Sequence, residues 1–453
     1  MSKDEILNNI ENLTAQQICE YIYQGIVTFD ELKKTGDFDK SKQDAVKSLQ
    51  IEIDTKRDAL LTELNKADDD AWNRVNVQNI KSIQNYIDNF SNGKHIIEAN
   101  NAIRYLIDAI KRAEKDRVEV LENLRIDPNI YSPDQILNYI NNDTISKQDL
   151  LDCGIPQHII NMLGNIYVRE LHLGDTPTTI PNGYTEVYFW GSPGSGKTCA
   201  LAAVLNAAES KRNLQIAESP GYKYTHQLKN TFKSQNTILP PPTNVEKNQY
   251  LPIAIKERSI SLIELSGEIF QCFHLIKTGD ALSDSHKESY NSLLKFLGTD
   301  NRKIHFFFID FTKKDIPDKY DATQSDYLLA ASNFFVQHNI FNKKTDAIYI
   351  VITKSDMMPN CNDYEQKVKY AVKHIETDGA LNNFKEIIKK QCELNHINAK
   401  KLFVEPFTLG KVYFQKICDF NDETALKIVD ILIDRIPVDE KGGFFKFFNK
   451  LNK

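Results

Sequence analysis

The chain of 453 residues lacks the features that mark secreted, membrane-spanning or disulfide-rich proteins. Its seven cysteines are an odd number and none of them forms a C-x-x-C pair, which argues against a disulfide framework or a zinc site. No stretch approaches the roughly 18 uninterrupted apolar residues that a membrane-spanning helix needs. Residues 1–30 contain no apolar h-region typical of a signal peptide. These absences predict a cytoplasmic protein with reduced thiols and no transmembrane segment.

The chain also lacks an excess of positive charge. Its 56 Lys and Arg residues are outnumbered by 62 Asp and Glu residues, which gives a formal net charge of −6. Proteins that bind nucleic acid usually carry a basic stripe, so we expect no nucleic-acid partner. With 41% hydrophobic residues, the chain has enough apolar material for a full α/β core and an additional helical domain.

One segment near the middle of the chain has the pattern of a phosphate-binding loop. Residues 191–198 match G-x-x-x-x-G-K-[ST], the apolar run 187–190 before them predicts a strand, and the run 199–205 after them predicts a helix. In such a loop backbone N–H groups face the phosphates, the lysine supplies positive charge, and the hydroxyl binds Mg²⁺. The predicted nucleotide-binding residues here are Gly191, Ser192, Pro193, Gly194, Ser195, Gly196, Lys197, Thr198 and Cys199.

A second motif bears on the identity of the base. The run 347–353 has the composition of a buried strand and ends in Thr-Lys-Ser-Asp, which resembles the [NT]KxD box of GTPases. A carboxylate in this position accepts from N1–H and the exocyclic amine of guanine, whereas adenine offers no such pair of donors. The segment 401–410 is similar to the one that backs the guanine ring. The predicted base contacts are Thr353, Lys354, Asp356, Thr408 and Leu409.

Two segments between these motifs resemble the switch loops of GTPases. Residues 259–268 are similar to the D-x-x-G segment, with Glu in place of the Asp, and the runs 251–255 and 259–265 predict a β-hairpin. The residue after the switch glycine is Glu268, where Ras-like domains have the glutamine that orients the attacking water. Thr237 competes with Thr243 as the switch threonine. The predicted metal ligands are Thr198, Thr243 and Glu264, and the predicted catalytic residues are Lys197, Gly267 and Glu268.

Together these motifs resemble P-loop GTPases of the translation-factor class, which includes Ras-like and Era-like G domains. The resemblance covers about residues 180–440 and implies a mixed, mostly parallel sheet with helices on both faces and nucleotide at the carboxyl ends of the strands. It also implies GTP and Mg²⁺ as cofactors, slow hydrolysis, and a switch that a helical domain, a partner protein or a second protomer reads. Two alternatives stay open. One is a nucleotide-binding scaffold without turnover, and the other is an ATPase, since the run 304–310 is typical of a Walker B strand that ends in a metal-binding Asp310.

The N-terminal third contains an ungapped internal repeat. Residues 14–36 match residues 132–154, and each copy predicts two short helices with capped N termini joined by a Gly or Asp turn. Such hairpins are expected as packing units or as a peptide-binding site. The predicted organisation is a helical hairpin in 1–38, long helices with a tetratricopeptide-like hairpin in 39–130, a second hairpin in 131–165, a GTPase domain in 166–440 and an amphipathic tail in 441–453.

Two further segments carry weaker predictions. The stretches 71–90 and 93–106 are expected to form the tetratricopeptide-like hairpin, with Trp72 on the apolar face of its first helix and His95 as a structural turn residue. In the tail, aromatic residues after Gly442-Gly443 fall on one helix face and lysines on the other. Docking back onto the protein and peripheral contact with an anionic membrane surface are both open for the tail.

Overall fold

The computed structural model describes residues 1–168, 170–175, 177, 180–233, 236–241, 247–313, 316–318, 320–397 and 402–439. Contacts between residues divide the chain into two units, Met1–Arg117 and Val118–Lys453. The predicted segment 39–130 crosses the boundary between these units, and the predicted domain boundaries at residues 38, 130 and 165 stay predictions. Thr243 and the tail 441–453 lie outside the described residues.

Unit 1 is built from α-helices. Its best-packed cluster includes Ile18, Val27, Leu32 and Val46, all at most 1% exposed. In chain order the helices are α1 (Lys3–Asn8), α2 (Ala15–Tyr23), α3 (Phe29–Lys34), α4 (Lys40–Trp72), α5 (Ile80–Asn89) and α6 (Ile96–Ile126), of which α6 continues into unit 2.

The tetratricopeptide-like hairpin is formed differently from the prediction. Trp72, which was expected near the start of its first helix, is the last residue of α4. The chain then leaves the helix, and α5 begins only after Asn79, whose side-chain oxygen accepts from the Ser82 N–H at 3.3 Å. His95 does lie in a turn, where its ring stacks on Trp72. The predicted apolar face nevertheless comes together as one cluster, which comprises Trp72, Ile83, Tyr86, Phe90, Ala99, Ala102 and Leu106.

Both copies of the internal repeat fold as the predicted helical hairpins. The second copy forms α7 (Pro133–Asn141) and α8 (Lys147–Asp152). The turn position is Gly25 in the first copy, with φ 70°, and Asp143 in the second, with φ 54°. Glycine and aspartate are residues that tolerate this left-handed conformation. All four helices carry reciprocal N-terminal caps, formed by Thr14 with Gln17, Thr28 with Glu31, Ser132 with Gln135 and Ser146 with Asp149.

Unit 2 contains two β-sheets within its described residues. The larger has seven strands in the order β2-β4-β5-β1-β6-β7-β8, and the smaller has the order β3-β10-β9. In the larger sheet β4 pairs antiparallel with β2 and β5, and the other neighbouring strands pair in parallel. The strands are β1 (Thr185–Trp190), β2 (Leu214–Ile216), β3 (Asn236–Ile238), β4 (Gln249–Ile255), β5 (Arg258–Glu264), β6 (Lys303–Asp310), β7 (Thr345–Thr353), β8 (Leu402–Pro406), β9 (Gly410–Tyr413) and β10 (Ile417–Phe420).

The predicted hairpin between residues 251 and 265 is confirmed as the antiparallel pair β4 and β5. Its turn consists of Lys256 and Glu257, which both have positive φ, at 46° and 63°. Two successive left-handed residues give the turn whose twist matches that of the flanking strands.

Helices cover both faces of the larger sheet, as predicted. Alternate residues of β1 point to opposite faces, so that Val187 and Phe189 belong to one core cluster while Tyr188 and Trp190 belong to the other. The first cluster contains residues of α10 and α17, and the second contains residues of α12, α14, α15 and α16. The helices of this part are α9 (Gln157–Met162), α10 (Lys197–Arg212), α11 (Tyr222–Lys229), α12 (Glu268–Thr278), α13 (Asp284–Leu297), α14 (Gln324–Gln337), α15 (Tyr364–Thr377), α16 (Gly379–Leu394) and α17 (Glu423–Arg435).

The order of the strands determines where a ligand would bind. Strand β1 lies between its parallel neighbours β5 and β6. The strands β2, β4 and β5, which follow it in the chain, lie on one side of it, and the later strands β6, β7 and β8 lie on the other. In open α/β sheets the crevice beyond the carboxyl ends of the strands at such a switch point is the usual ligand site. Among the described helices, none is both long and apolar enough to cross a membrane.

Candidate functional site

The loop between β1 and α10 has a backbone that requires glycine. Gly191 has φ 155° and Gly196, which immediately precedes α10, has φ 89°. A Cβ atom on Gly191 would lie 2.4 Å from Ser195 Oγ and 2.7 Å from the carbonyl oxygen of Phe308. The glycines of the predicted phosphate loop therefore let the chain turn sharply against β6 and open directly into the N terminus of a helix, which attracts anions.

Lys197 lies inside this loop. Its Nζ donates to the carbonyl oxygens of Gly191, at 2.8 Å, and Ser192, at 3.2 Å. Burial lowers the pKa of Lys197 to about 8, the charge of Glu264 opposes this shift, and the charge of Lys313 adds to it. A buried ammonium held by neutral carbonyls is well placed to receive an anionic ligand.

Thr198 contacts the acid at the end of β5. The Thr198 hydroxyl donates to one carboxylate oxygen of Glu264, and the Tyr224 hydroxyl donates to the other at 2.6 Å. Burial raises the pKa of Glu264, while these two hydrogen bonds and the charge of Lys197 act to lower it. The longer side chain of Glu, which replaces the expected Asp, therefore does reach the threonine of the phosphate loop.

The donor atoms of Thr198 and Glu264 fit Mg²⁺, which prefers hard oxygen ligands. Across the described ranges, no group of three or more His, Cys, Asp or Glu residues could hold a metal ion. Mg²⁺ commonly takes one or two protein oxygens and completes its coordination with phosphate oxygens and water, so a site of this kind needs a phosphate ligand. Thr237, the alternative to Thr243, is buried in β3 opposite Cys418 of β10.

The predicted switch glycine packs against the phosphate loop. A Cβ atom on Gly267 would lie 2.9 Å from Pro193 Cα, so this approach also requires glycine. Glu268 is the first residue of α12, and its Oε2 lies 3.8 Å from Nε2 of His286. The structure thus places Gly267 against the loop and the carboxylate of Glu268 near His286 of α13. The predicted action of Glu268 on water stays a prediction.

The predicted base-recognition box begins beside the predicted phosphate loop. Thr353, at the end of β7, donates its hydroxyl to the carbonyl oxygen of Ser195 at 3.0 Å. Lys354 follows with a left-handed backbone, φ 56°, and its Nζ lies 2.8 Å from Oδ2 of Asp310. The hydroxyl of Thr408 donates to Asp356 Oδ1 at 2.7 Å. The two predicted halves of the base site are therefore in direct contact.

A cavity of about 320 Å³ opens beside these residues. Its walls include Asp356, Thr408, Tyr364 and Lys411. Leu409 is partly buried against the core cluster that contains α10. Burial raises the pKa of the Cys199 thiol, on the first turn of α10, to about 12, so this thiol is neutral at physiological pH.

Asp310, the candidate metal ligand of the ATPase alternative, is held by its own loop. Its Oδ1 accepts from the backbone N–H of Thr312 at 2.9 Å and from the Thr312 hydroxyl at 2.8 Å, while Oδ2 faces Lys354. The phosphate-loop hydroxyl contacts Glu264 instead. This geometry favours Glu264 over Asp310 as the acid beside a metal.

Two residues of the site were not anticipated from the sequence. Tyr224, on α11, binds the carboxylate of Glu264, and Lys313, in the segment after β6, donates to the carbonyl oxygen of Pro193 at 3.2 Å. Neither belongs to a motif with fixed spacing. The only signal for Lys313 was that it follows the Walker B-like acid by three positions.

Comparison with protein-family models and with curated proteins finds no match for this chain. The chemistry of the site therefore has to be inferred from its own residues.

Proposed function

We propose that the chain is a GTP-binding protein in which the larger sheet of unit 2 and its helices form a P-loop GTPase domain. One observation carries the proposal: motifs that are far apart in the sequence meet at the carboxyl ends of neighbouring strands. Thr198 of the phosphate loop contacts Glu264, and Ser195 of the same loop accepts from Thr353 of the base box. A chance match to a loop pattern would not bring these particular side chains together.

The choice of guanine rests on Asp356. A carboxylate that accepts two hydrogen bonds from a base selects guanine, because adenine offers no matching donors. Thr408 donates to only one of the two oxygens of Asp356, and a cavity of about 320 Å³ adjoins both residues. Pockets for small ligands begin at roughly this volume.

Hydrolysis would be phosphoryl transfer to water, promoted by positioning and charge neutralisation. Lys197 and the amides of the phosphate loop would bind the phosphates, and Thr198 and Glu264 would hold Mg²⁺. The metal, when bound, would neutralise charge on the phosphate oxygens. Tyr224 would keep the carboxylate of Glu264 in position, since its hydroxyl binds the oxygen that Thr198 does not.

We expect slow turnover, because this position holds Glu268, whose negative charge would stand near that of the triphosphate, and lacks the glutamine of Ras-like domains. Single-turnover hydrolysis should proceed at a rate on the order of 10⁻⁴ to 10⁻² s⁻¹, and a partner protein or second protomer that supplies a cation should raise it. A rate above about 1 s⁻¹ that is lost in Glu268→Ala would contradict this expectation and would make Glu268 the group that positions the water.

The wider role that we propose is a nucleotide-dependent switch in the cytoplasm, whose state is read by the helical region or by a protein partner. The glutamate at position 268, in place of that glutamine, also favours a second candidate, a scaffold that binds nucleotide without turning it over. The two candidates differ in whether bound GTP decays to GDP in the isolated protein.

The test of the proposed function is the nucleotide content of the purified protein after denaturation and chromatography. We expect GTP or GDP. Recovery of ATP or ADP would move the proposal to the ATPase alternative. An empty protein that also fails to bind added guanine nucleotide would overturn the proposal.

A further inference from the structure

Lys313 brings a second ammonium group to the phosphate loop. Its Nζ lies 3.2 Å from the carbonyl oxygen of Pro193. A Cβ atom on Gly194 would lie 2.6 Å from the same Nζ, so the ammonium rests directly against the loop backbone. Lys313 follows β6, and none of the motifs that led to this site includes it.

Three lysine ammonium groups lie at the loop, those of Lys197, Lys313 and Lys354, beside two carboxylates, those of Glu264 and Asp310. Lys354 has an acidic partner, Asp310, at 2.8 Å. Within the described part of the chain, neither Lys197 nor Lys313 forms an ion pair with a carboxylate, and their nearest hydrogen-bond acceptors are backbone carbonyls. Two ammonium groups on one short loop repel each other, in keeping with the contribution of Lys313 to the lowered pKa of Lys197. A ligand with several negative charges would offset this repulsion.

The position of Lys313 indicates which part of such a ligand it would meet. Pro193 contacts Lys313 through its carbonyl oxygen, and it also lies next to Gly267, whose hypothetical Cβ would be 2.9 Å from Pro193 Cα. Gly267 is the residue whose N–H is expected to meet the terminal phosphate. Lys313 and Gly267 therefore approach the same residue of the loop, whereas Lys197 is bound by Gly191 and Ser192.

We propose that Lys313 binds the terminal phosphate of a bound nucleoside triphosphate, as a cation supplied by the chain itself. The proposal rests on the proposed function and deepens it, because it gives the site a way to distinguish triphosphate from diphosphate. A flexible lysine stem lets the ammonium leave the carbonyl of Pro193 for a phosphate oxygen, and the charge-assisted hydrogen bond that forms is stronger than the one it replaces.

The test measures the Kd of a non-hydrolysable GTP analogue and of GDP, with Mg²⁺, for the full chain. The variants are Lys313→Ala, Lys313→Gln, Lys313→Arg and Lys197→Ala, with Lys295→Ala, an exposed lysine on α13, as the matched control. We expect Lys313→Ala and Lys313→Gln to raise the Kd of the analogue about ten-fold and to leave the Kd of GDP unchanged. Lys313→Arg should restore most of the affinity, and the control should behave as the wild type.

The outcomes separate this proposal from the proposed function. If Lys197→Ala abolishes binding of the analogue while both neutral Lys313 variants bind it normally, Lys313 has no part in binding and the proposed function stands. Equal weakening of the analogue and GDP would also overturn the proposal, since the contact would not be with the terminal phosphate. If the wild-type protein binds neither nucleotide, both proposals fail.

Discussion

The two helical hairpins, residues 14–36 and 132–154, share a sequence pattern and a fold but pack against different partners. In both, the same positions are buried: Ile18 corresponds to Ile136, and Leu32 corresponds to Leu150, all with no exposed surface. The first hairpin is covered by residues of unit 1 such as Val46 of α4. The second packs against Tyr413 of β9, Ile417 of β10 and Phe414 of the turn between them, in the small sheet of unit 2.

The strands that cover the second hairpin follow the predicted base loop. Strands β9 and β10 are joined through Phe414 and Gln415, both with positive φ, at 53° and 63°. A bulky residue such as Phe adopts this conformation only when its surroundings hold it there. The carbonyl oxygen of Pro128 accepts from the Phe414 N–H at 3.1 Å, and Asn129 Oδ1 accepts from the Gln415 N–H at 2.8 Å.

The duplicated hairpins have the same fold but different roles in packing. Thr408 and Leu409 immediately precede β9, so the second hairpin supports the strands that follow the base loop. The first hairpin packs against residues of unit 1. We therefore interpret the second hairpin as a packing unit of unit 2 and the first as a packing unit of unit 1.

The variant with the strongest predicted effect on nucleotide binding, Lys197→Ala, changes a residue of unit 2 alone. Lys197→Ala should weaken binding of a GTP analogue by more than about 100-fold, because several charge-assisted contacts to phosphate are lost together. Far-UV circular dichroism should not change, since the Lys197 side chain bonds to loop carbonyls. Lys295→Ala serves as the control. A variant that fails to fold would show instead that the loop is structural.

The next effect compares the two hairpin cores. Ile18→Ala and Ile136→Ala should each destabilise the unit that contains them by about 2–5 kcal/mol, because each deletes fully buried methyl groups. A ligand stabilises only the unit that binds it, by about 2.7 kcal/mol at a concentration of 100 times Kd. Added GTP analogue should therefore raise the denaturation midpoint of Ile136→Ala and leave the unit 1 transition of Ile18→Ala where it was. If the added analogue raised the denaturation midpoints of both variants equally, the two hairpins would not differ in their connection to the ligand.

The smallest effect tests the link between the second hairpin and the base loop. Asn129→Ala removes the hydrogen bonds of this side chain to the Gln415 N–H and to the Val412 carbonyl oxygen, at 2.8 and 3.0 Å. Two such bonds contribute about 1–3 kcal/mol to the local structure, so GTP affinity should fall a few-fold as the β9–β10 turn loosens. The control is Glu11→Ala, at the corresponding place three residues before the first hairpin. Unchanged affinity in Asn129→Ala would show that the turn is independent of the base loop.

Local patterns predicted much of the fold. Alternating and continuous apolar runs located β1, β4, β5, β6 and β7, since these signals depend on neighbouring residues alone. N-cap residues located the hairpin helices for the same reason. The break between Trp72 and α5 was missed because the apolar periodicity continues across it, and only the cap at Asn79 marks the new start.

The site was predictable where it follows a motif of fixed spacing and not elsewhere. The pattern around Lys197 specifies its neighbours, and the structure brings Thr198 to Glu264 and Thr408 to Asp356 as the motifs require. Tyr224 and Lys313 reach the site from segments whose position depends on tertiary packing, so no spacing in the sequence indicates them. The same holds for the position of Glu268 of α12 beside His286 of α13.

The most direct test of guanine recognition is a competition experiment with GTP, ATP and xanthosine triphosphate on the wild-type protein and on Asp356→Asn. The wild-type protein should prefer GTP. The substitution should weaken binding of GTP about ten-fold or more, because a charge-assisted hydrogen bond is lost. It should improve binding of xanthosine triphosphate, because the ring of that base accepts a hydrogen bond where guanine donates one. A wild-type preference for ATP that Asp356→Asn leaves unchanged would contradict the account.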